Sequence, residues 1–407
     1  MLSRLTISAL AAFGTAAVTA CALAAPAGAS TGPAAASASQ SSASSASSAS
    51  SQPSRPVVVV SGLHNPRQLT FGPGYSLLVA EAGRGARHPD PAQCISGPDG
   101  EQTCIGTTGS ITRVDTPWRA SQVAPHRIIT GLISGGAADG GSAVGSDGVA
   151  YRAGSTLIQE TYAPVPPGTA GGWQLGKLLR ASGGHLRSVA NISAVEFRRN
   201  PDGLQKDTNP YGLLAVDRHT SITADAAAND LIRVHNGRPR PLTVFPLHGC
   251  GGHRTQQCDR ESVPTSLAWS PGHAIYVGEL AHFEPGAARV WKVSPSTGRL
   301  LGYYGTGGSI CRHDQQGFST ITGVAFGPDG SLYVSELVGG PDGSGDVVKI
   351  SPTCRRSSVD VPLPGGIVVG SAGSVYVSAF SISDADGASP GGGAPNLPPG
   401  QVWRLRL

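Results

Sequence analysis

The stretch Ile321-Thr-Gly-Val-Ala-Phe-Gly-Pro-Asp-Gly-Ser-Leu-Tyr-Val-Ser-Glu336 decides the fold of this chain. Two short apolar runs flank a Gly-Pro-Asp-Gly turn, a pattern typical of an antiparallel β-hairpin. The second run ends on an acid. Comparable stretches occupy residues 65–81, 209–225 and 263–279, and weaker versions end at Glu160 and, without the acid, at Ala379. The hairpin is therefore a repeated unit.

A second motif follows each hairpin and has a basic residue between apolar ones, as in Gly345-Asp-Val-Val-Lys-Ile350. The basic residue falls at Arg113, Arg180, Arg233, Lys292, Lys349 and Arg404, at steps of 67, 53, 59, 57 and 55 residues. The abundance of glycine (57) and proline (32) fits many short strands joined by tight turns. A further strand follows the basic motif, as in Leu300-Leu-Gly-Tyr-Tyr304, so the repeating unit has four strands. Six copies of this unit predict an all-β, six-bladed β-propeller of four-stranded antiparallel blades.

The sixth repeat has only three strands before the chain ends, whereas an apolar strand, Val57–Val60, stands alone before the first repeat. An unpaired edge strand is a liability that a closed ring removes. We therefore expect Val57–Val60 to join blade six as its outer strand and close the ring.

The N-terminal segment has the composition of an export signal. Arg4 precedes an apolar run, and Ala27-Gly28-Ala29 matches a small-residue cleavage site, so residues 1–29 are predicted to be a signal peptide. Val18-Thr-Ala-Cys21 also resembles a lipobox, which leaves lipidation of Cys21 open as an alternative. Residues 30–54 are rich in Ser and Ala and are expected to form a disordered tether, followed by the propeller at 55–407.

Cysteine usage and charge agree with a secreted or cell-surface protein of bacterial type. After Cys21, six cysteines remain, an even number that favours disulfides in an exported chain: Cys94, Cys104, Cys250, Cys258, Cys311 and Cys354. Two local bridges are predicted, Cys94–Cys104 and Cys250–Cys258. A Cys311–Cys354 bridge is not expected, because Cys311 falls in a loop between blades and Cys354 follows a third strand, at the opposite face. The net charge is only +4 and its cations are scattered, which argues against a nucleic-acid partner.

Several stretches resemble the ScyD/ScyE family of secreted, NHL-like propeller proteins. They include Asn65-Pro-Arg-Gln-Leu-Thr-Phe-Gly-Pro, Asn209-Pro-Tyr-Gly-Leu-Leu, Val263-Pro-Thr-Ser-Leu-Ala and Gly286-Ala-Ala-Arg-Val-Trp-Lys. The resemblance covers most of residues 55–350, and the chain departs from it in blade two and in the loops that hold Cys250, Cys258 and Cys311. It implies a propeller fold and export, and it brings no catalytic residues with it.

Acids end the second strand in five of the six repeats, and two asparagines begin first strands at the same end. These residues are Glu81, Glu160, Asp225, Glu279, Glu336, Asn65 and Asn209. Gathered on one face, they are candidate ligands for Ca²⁺ or for a cationic or polyol ligand. The alternative is that each carboxylate accepts backbone N–H groups of its own blade and stabilises the fold.

No convergent set of catalytic residues emerges from the sequence. We therefore expect an extracellular binding or scaffold protein whose partner is a small molecule, a glycan or another protein. Its only predicted membrane attachment is a lipid on Cys21. The alternative function is a metal-dependent hydrolase of the lactonase or esterase type that uses the acidic face of the propeller.

Overall fold

The repeated hairpins form the inner halves of six blades around one axis. A computed structural model describes residues 55–86, 93–96, 102–137, 140–248, 261–281, 285–339, 344–383 and 397–407. Within each blade the strands pair antiparallel with their neighbours, from an inner strand near the axis to an outer one. The predicted six-bladed, all-β propeller is confirmed.

The strands of the first three blades have the following bounds. Blade one contains β2 (Pro66–Phe71), β3 (Leu77–Glu81), β4 (Cys94–Ser96), β5 (Gln102–Val114) and β6 (His126–Gly136). Blade two contains β7 (Ser146–Arg152), β8 (Ser155–Glu160), β9 (Lys177–Ser182) and β10 (His185–Asn191). Blade three contains β11 (Pro210–Ala215), β12 (Thr220–Asp225), β13 (Asp230–His235) and β14 (Arg238–Val244).

The other three blades follow in the same order. Blade four contains β15 (Pro264–Trp269), β16 (Ile275–Glu279), β17 (Val290–Val293) and β18 (Leu300–Tyr304). Blade five contains β19 (Ile321–Phe326), β20 (Leu332–Glu336), β21 (Asp346–Ile350) and β22 (Arg356–Asp360). Blade six contains β23 (Ile367–Val369), β24 (Val375–Ala379), β25 (Gly400–Leu405) and β1 (Val57–Leu63).

The ring closes where the sequence predicts. The strand β1 pairs with β25 and completes blade six in the order β23-β24-β25-β1. The outer edge of β1 is covered in turn, because the backbone N–H groups of Gln122 and Val123 donate to Val58 and Val59 at 2.7 and 3.0 Å. Both ends of the chain are thus held in one sheet, and no long strand edge is left open there.

The hydrophobic core lies between the blades. Among the described residues, six large clusters of buried side chains each bring together residues of two neighbouring blades. The cluster between blades six and one, for example, contains Val60, Leu63 and Val402 from blade six and Leu69 and Val79 from blade one. This explains why the first two strands of each blade read as nearly continuous apolar runs: both of their faces are covered.

Two features depart from the regular repeat. Blade one has a fifth strand, because β5 is 13 residues long and its first part pairs with β4, where Cys94 and Cys104 form the predicted disulfide. Blade two is followed by a short helix, α1 (Ser193–Arg199), on the way to blade three. The sequence repeats did not indicate either feature. In the described residues, no helix has the length and apolar composition of a membrane span.

The expectation that Cys311 and Cys354 stay unpaired is wrong. They form a disulfide with a Cα–Cα distance of 5.4 Å. The loop after β18 does not stay at one face: it turns back along that strand, where the backbone N–H of Ile310 donates to the carbonyl of Tyr303 at 3.1 Å. This brings Cys311 down to the β21–β22 turn that holds Cys354, and blade five still has its four strands. The predicted bridge between Cys250 and Cys258 lies outside the described residues, as do the segments 1–29 and 30–54 with Cys21.

Removing a buried side chain from the closing strand is expected to destabilise the whole ring. Leu63 is fully buried between blades six and one. The Leu63→Ala variant should lower the free energy of unfolding by about 3 kcal/mol, the usual cost of such a cavity. Urea denaturation followed by circular dichroism measures it. Leu301→Ala on the outer strand β18, where Leu301 is 40% exposed, is the control. Equal effects of the two substitutions would contradict a closing role for β1.

Candidate functional site

The five acids occupy one equivalent position in their blades. Each ends a second strand and lies opposite the residue that begins the first strand, as Glu81 does with Pro66 and Glu279 with Pro264. All are buried, with exposed fractions of 0, 0, 1, 0 and 4% for Glu81, Glu160, Asp225, Glu279 and Glu336. We call the side of the ring on which these strands end the acid-bearing face.

The carboxylate of Glu81 is the most heavily bonded of the five. It accepts the backbone N–H of His64 at 2.8 Å and the hydroxyl groups of Ser110 and Thr112. The guanidinium of Arg127, on the outer strand β6, forms an ion pair with it at 2.8 Å. Glu81 therefore ties the start of the inner strand to the two outer strands of blade one.

The acids of the other blades form similar hydrogen bonds with different partners. The backbone N–H of Asn209 donates to Asp225 at 2.7 Å, and the backbone N–H of Ser319 donates to Glu336. In blade two a hydroxyl takes the place of the backbone donor, since Ser146 donates to Glu160 at 2.9 Å.

Blade four has the most varied set of partners. The carboxylate of Glu279 accepts the hydroxyl of Ser262 and the indole N–H of Trp291, the latter at 2.8 Å. Its other oxygen lies 2.8 Å from Nε2 of His248. Here too the carboxylate joins the entry of the blade to its second and third strands.

The side chains of the two asparagines also form hydrogen bonds within the fold. The side-chain amide of Asn65 donates to the carbonyls of Gly83 and Gly140 at 2.8 and 3.0 Å. The side-chain oxygen of Asn209 accepts the hydroxyl of Thr161 at 2.7 Å, which links blade three to the residue after Glu160. Each asparagine thus joins two neighbouring blades at the acid-bearing face.

The structure places these seven residues at one level of the ring, spread over five blades. In the described part of the chain, no three acidic, histidine or cysteine side chains are arranged to hold a metal ion. The bonds just described favour the reading in which each carboxylate stabilises its own blade. Their role as ligands for Ca²⁺, a cation or a polyol stays a prediction.

Burial raises the pKa of three of the five carboxyl groups. It raises the pKa of Glu160 to about 8, that of Asp225 to about 7 and that of Glu336 to about 8, against the hydrogen bonds that favour the ionised form. The charge of Asp147 raises the pKa of Glu160 further. These groups therefore hold a proton in the folded protein at pH values where the unfolded chain has lost it.

The sequence reasoning missed a second set of residues, one step further along the inner strands. In five blades the pairing of the first two strands contains a β-bulge directly after the position opposite the acid. The residue that follows the acid's partner on the first strand lies in this bulge. In the five blades it is Arg67, Asp147, Tyr211, Thr265 and Thr322. A bulge turns a side chain away from the regular alternation of a strand. Aligning the repeats on their acids would have placed these residues in one column.

Arg67 and Asp147 form a buried ion pair between blades one and two at this level. Their side chains are 2 and 0% exposed, and Nε of Arg67 lies 3.4 Å from Oδ1 of Asp147. The guanidinium also donates to the carbonyls of Ser381 and Ala143, so it joins blade one to the entry of blade two and to the segment after β24 in blade six. Burial raises the pKa of Asp147 to about 7, and the charge of Arg67 opposes that rise.

Beyond this pair, a cavity of about 290 Å³ follows the axis. Its lining runs from the level of Gln68 and Thr322 to the ends of the inner strands at Phe71 and Phe326, and all six blades contribute to it. The wall is mostly apolar, with the aromatic rings of Phe71, Tyr151 and Phe326 among the residues nearest the strand ends. We call this cavity the central channel; it extends away from the acid-bearing face.

One polar side chain reaches across the channel wall. The amide of Gln68 in blade one donates to the carbonyl of Leu213 in blade three at 2.8 Å and accepts its backbone N–H at 3.0 Å. The strand of blade two between them leaves room because it has Gly148, where a Cβ atom would come within 2.6 Å of the carbonyl of Tyr211. The inner edge of β11 is thereby satisfied without a neighbouring strand.

Comparisons with known proteins found solved structures of low similarity and no family for this chain. No protein-family model and no curated protein matches the chain. Similar solved structures include a streptogramin B lyase (12% identity, 87% of this chain and 97% of that one, TM-score 0.44). A luciferin-regenerating enzyme has 11% identity over 87% of this chain and 96% of its own, with a TM-score of 0.46. The WD40 β-propeller domain of Doa1 has 11% identity over 88% of this chain and 97% of its own, with a TM-score of 0.43. At these values no activity or ligand is transferred from them.

Removing the negative charge of Glu81, which holds the strands of blade one together, is expected to destabilise the fold. Glu81→Gln leaves Arg127 without its anionic partner and should lower the free energy of unfolding by about 3 kcal/mol. The matched control is Asp115→Asn, which removes the 2.7 Å ion pair between Arg113 and the 60%-exposed Asp115. That exposed pair should contribute less than about 1 kcal/mol. Urea denaturation of both variants makes the comparison, and similar losses would argue against a stabilising role for Glu81.

Stability should decrease as the pH rises, because the folded protein holds protons on its buried acids. The pKa of Glu160 is about 8 in the folded state, whereas an ordinary glutamate has a pKa of about 4.3. Its contribution is present below pH 4 and is lost as the pH rises through 8, by up to about 1.4 kcal/mol per pH unit. Glu160→Gln has no such proton to lose.

Urea denaturation between pH 5 and pH 8.5, in buffer with a metal chelator, tests this expectation. The wild-type free energy of unfolding should fall across the range, and the fall should be shallower in Glu160→Gln. Asp217→Asn, which changes an exposed acid in the β11–β12 turn, should leave the slope unchanged. An equal slope in Glu160→Gln would show that Glu160 does not hold a proton in the folded state.

Proposed function

We propose that this protein is an exported binding protein of the ScyD/ScyE type that takes a small, largely uncharged ligand in the central channel. The observation that carries the proposal is the channel itself, a cavity of about 290 Å³ on the axis with an apolar wall from all six blades. Small-molecule sites are typically concave, mostly apolar and supplied with a few polar groups.

The polar groups of the channel are suited to orienting a ligand by hydrogen bonds. Tyr151 lies near the ends of the inner strands, whereas Gln68 and Thr322, at the other end, are already hydrogen-bonded to Leu213 and to the carbonyl of Pro364. The ion pair of Arg67 and Asp147 is buried behind that end, with 3.4 Å between Nε and Oδ1. A neutral ligand with one polar end and an apolar body matches this arrangement better than an ion does.

The alternative, a metal-dependent hydrolase on the acid-bearing face, has less support. A hydrolase of that kind needs carboxylates that reach a shared ion and a substrate. Here the five acids are buried and spread over five blades, and they accept hydrogen bonds within those blades. Export is supported by the sequence of residues 1–29 and by the Cys94–Cys104 and Cys311–Cys354 disulfides.

Filling the channel should abolish ligand binding without disturbing the fold. Thr70 lines the channel two residues after Gln68, on the same side of β2. We expect the uncharged dye 1-N-phenylnaphthylamine to bind the wild-type chain at one saturable site with increased fluorescence. Thr70→Trp should weaken this binding at least about tenfold, equivalent to 1.4 kcal/mol.

The control variant places the same residue far from the axis. Thr297 is exposed in the β17–β18 turn, so Thr297→Trp should bind the dye as the wild type does. Dye binding that is unchanged in Thr70→Trp would rule out the channel as the site. Turnover of a panel of lactones and esters that disappears in Glu279→Gln would favour the hydrolase instead.

A further inference from the structure

Four buried acids meet at one end of blade three. Glu196 lies on α1, Asp202 follows that helix, and Asp225 and Asp230 end β12 and begin β13. Their exposed fractions are 1, 2, 1 and 0% in the order Glu196, Asp202, Asp225, Asp230. We call this group the blade-three acid cluster; only Asp225 belongs to the repeated acids of the second strands.

Strand pairing and hydrogen bonds bring the group together. Asp225 and Asp230 are direct partners in the antiparallel pairing of β12 and β13. The side-chain amide of Asn229, next to Asp230, donates to Asp202 at 3.2 Å. Thr208 connects the helix side, because its hydroxyl donates to Asp225 at 2.5 Å and lies 3.1 Å from that of Ser193, the first residue of α1.

Two of the four carboxylates have no hydrogen-bond partner. Both oxygens of Asp230 and both oxygens of Glu196 are buried and unbonded. Asp225 and Asp202, by contrast, accept backbone N–H groups, Asp225 from Asn209 at 2.7 Å and Asp202 from Leu204 at 2.9 Å. Buried polar groups in folded proteins are nearly always bonded, and a buried carboxylate without a partner is especially costly.

The charge of the cluster is compensated poorly by protein groups. Among the described residues, Lys206 is the only cation that stabilises the ionised form of Glu196, and its ammonium donates to the carbonyl of Phe197 at the surface. Burial, together with Asp202 and Asp225, raises the pKa of Glu196 to about 8, and burial raises that of Asp230 well above its usual range. The buried oxygens of Glu196 and Asp230 are therefore left without an ion-paired cation or a hydrogen-bond donor from the described protein groups.

We propose that the blade-three acid cluster binds one Ca²⁺ ion, with Glu196 and Asp230 as its main ligands and Asp202 and Asp225 around them. Carboxylate oxygens are the preferred ligands of this hard cation, which accepts irregular geometry with six to eight oxygens. Mg²⁺ demands near-octahedral geometry and gives up its water reluctantly, so it should bind more weakly. A cation would supply the partner that the four free oxygens lack.

The ion is expected to draw its ligands inward. No three of the described acids are already arranged to hold a metal. Glu196 lies on a helix of seven residues, and residues 200–209 connect that helix to blade three. Binding would therefore fix α1 and the following loop against β12 and β13.

Calorimetric titration of the full, chelator-treated chain with CaCl₂ tests the proposal. We expect one ion per chain and a melting temperature raised by about 5 °C in excess Ca²⁺, with a smaller rise in MgCl₂. Asp230→Asn and Glu196→Gln should each weaken Ca²⁺ binding at least about tenfold and lose most of the thermal shift. In chelator, Asp230→Asn should melt at or above the wild-type temperature, because it removes an unpartnered buried carboxylate.

Two control variants locate the ion. Asp217→Asn, at the opposite end of blade three, and Glu279→Gln, in the acid position of blade four, should both bind Ca²⁺ as the wild type does. Absence of Ca²⁺ binding by the wild-type chain would overturn the proposal, as would unchanged affinity in both Asp230→Asn and Glu196→Gln. Loss of binding in Glu279→Gln would also overturn it and place the ion among the repeated acids. The dye titration of the channel is a separate measurement and does not depend on this outcome.

Discussion

The pairing of the first strand with the last is the constraint on which the rest of the structure depends. A ring of blades has no core of its own at the axis; its core is the set of apolar layers between neighbours, and each layer needs two blades. Without β1 on β25, blade six would lose its outer strand and the layer next to blade one would lose Val60 and Leu63. Closing the ring also fixes the inner strands around the axis and so creates the channel between them.

The buried acids show two different solutions to one electrostatic problem. Glu81 sits among donors of its own blade and is opposed by Arg127, so its charge is compensated where it stands. Asp230 and Glu196 lie just as deep without a donor, and their pKa values rise instead. A carboxylate of the first kind stabilises the fold, whereas one of the second kind weakens it unless a proton or a cation is present. This difference separates Glu81 from Asp230 and Glu196, although all three side chains are almost fully buried.

Much of the fold followed from the sequence because a repeat is a local pattern. Hairpin turns and alternating strands are encoded within about 58 residues, and six copies of them leave one arrangement that has no open edge. The site was harder to predict. Arg67 and Asp147 are 80 positions apart in number and meet only because each follows a bulge on adjacent inner strands. The Cys311–Cys354 bridge was missed because the path of a loop depends on what it packs against, which here is β18.

The sequence by itself determined the class of fold, the number of blades, the closing strand and the positions of the five repeated acids. Only the tertiary structure decided what those acids do, since hydrogen-bond partners such as Arg127 for Glu81 come from strands far along the chain. It also decided that a buried ion pair joins blades one and two near the acid-bearing face and that a cavity lined by all six blades follows the axis. The physical reason is that repeat spacing records contacts within a blade, whereas the channel, the ion pair and the acid cluster arise from distances between elements that the spacing does not contain.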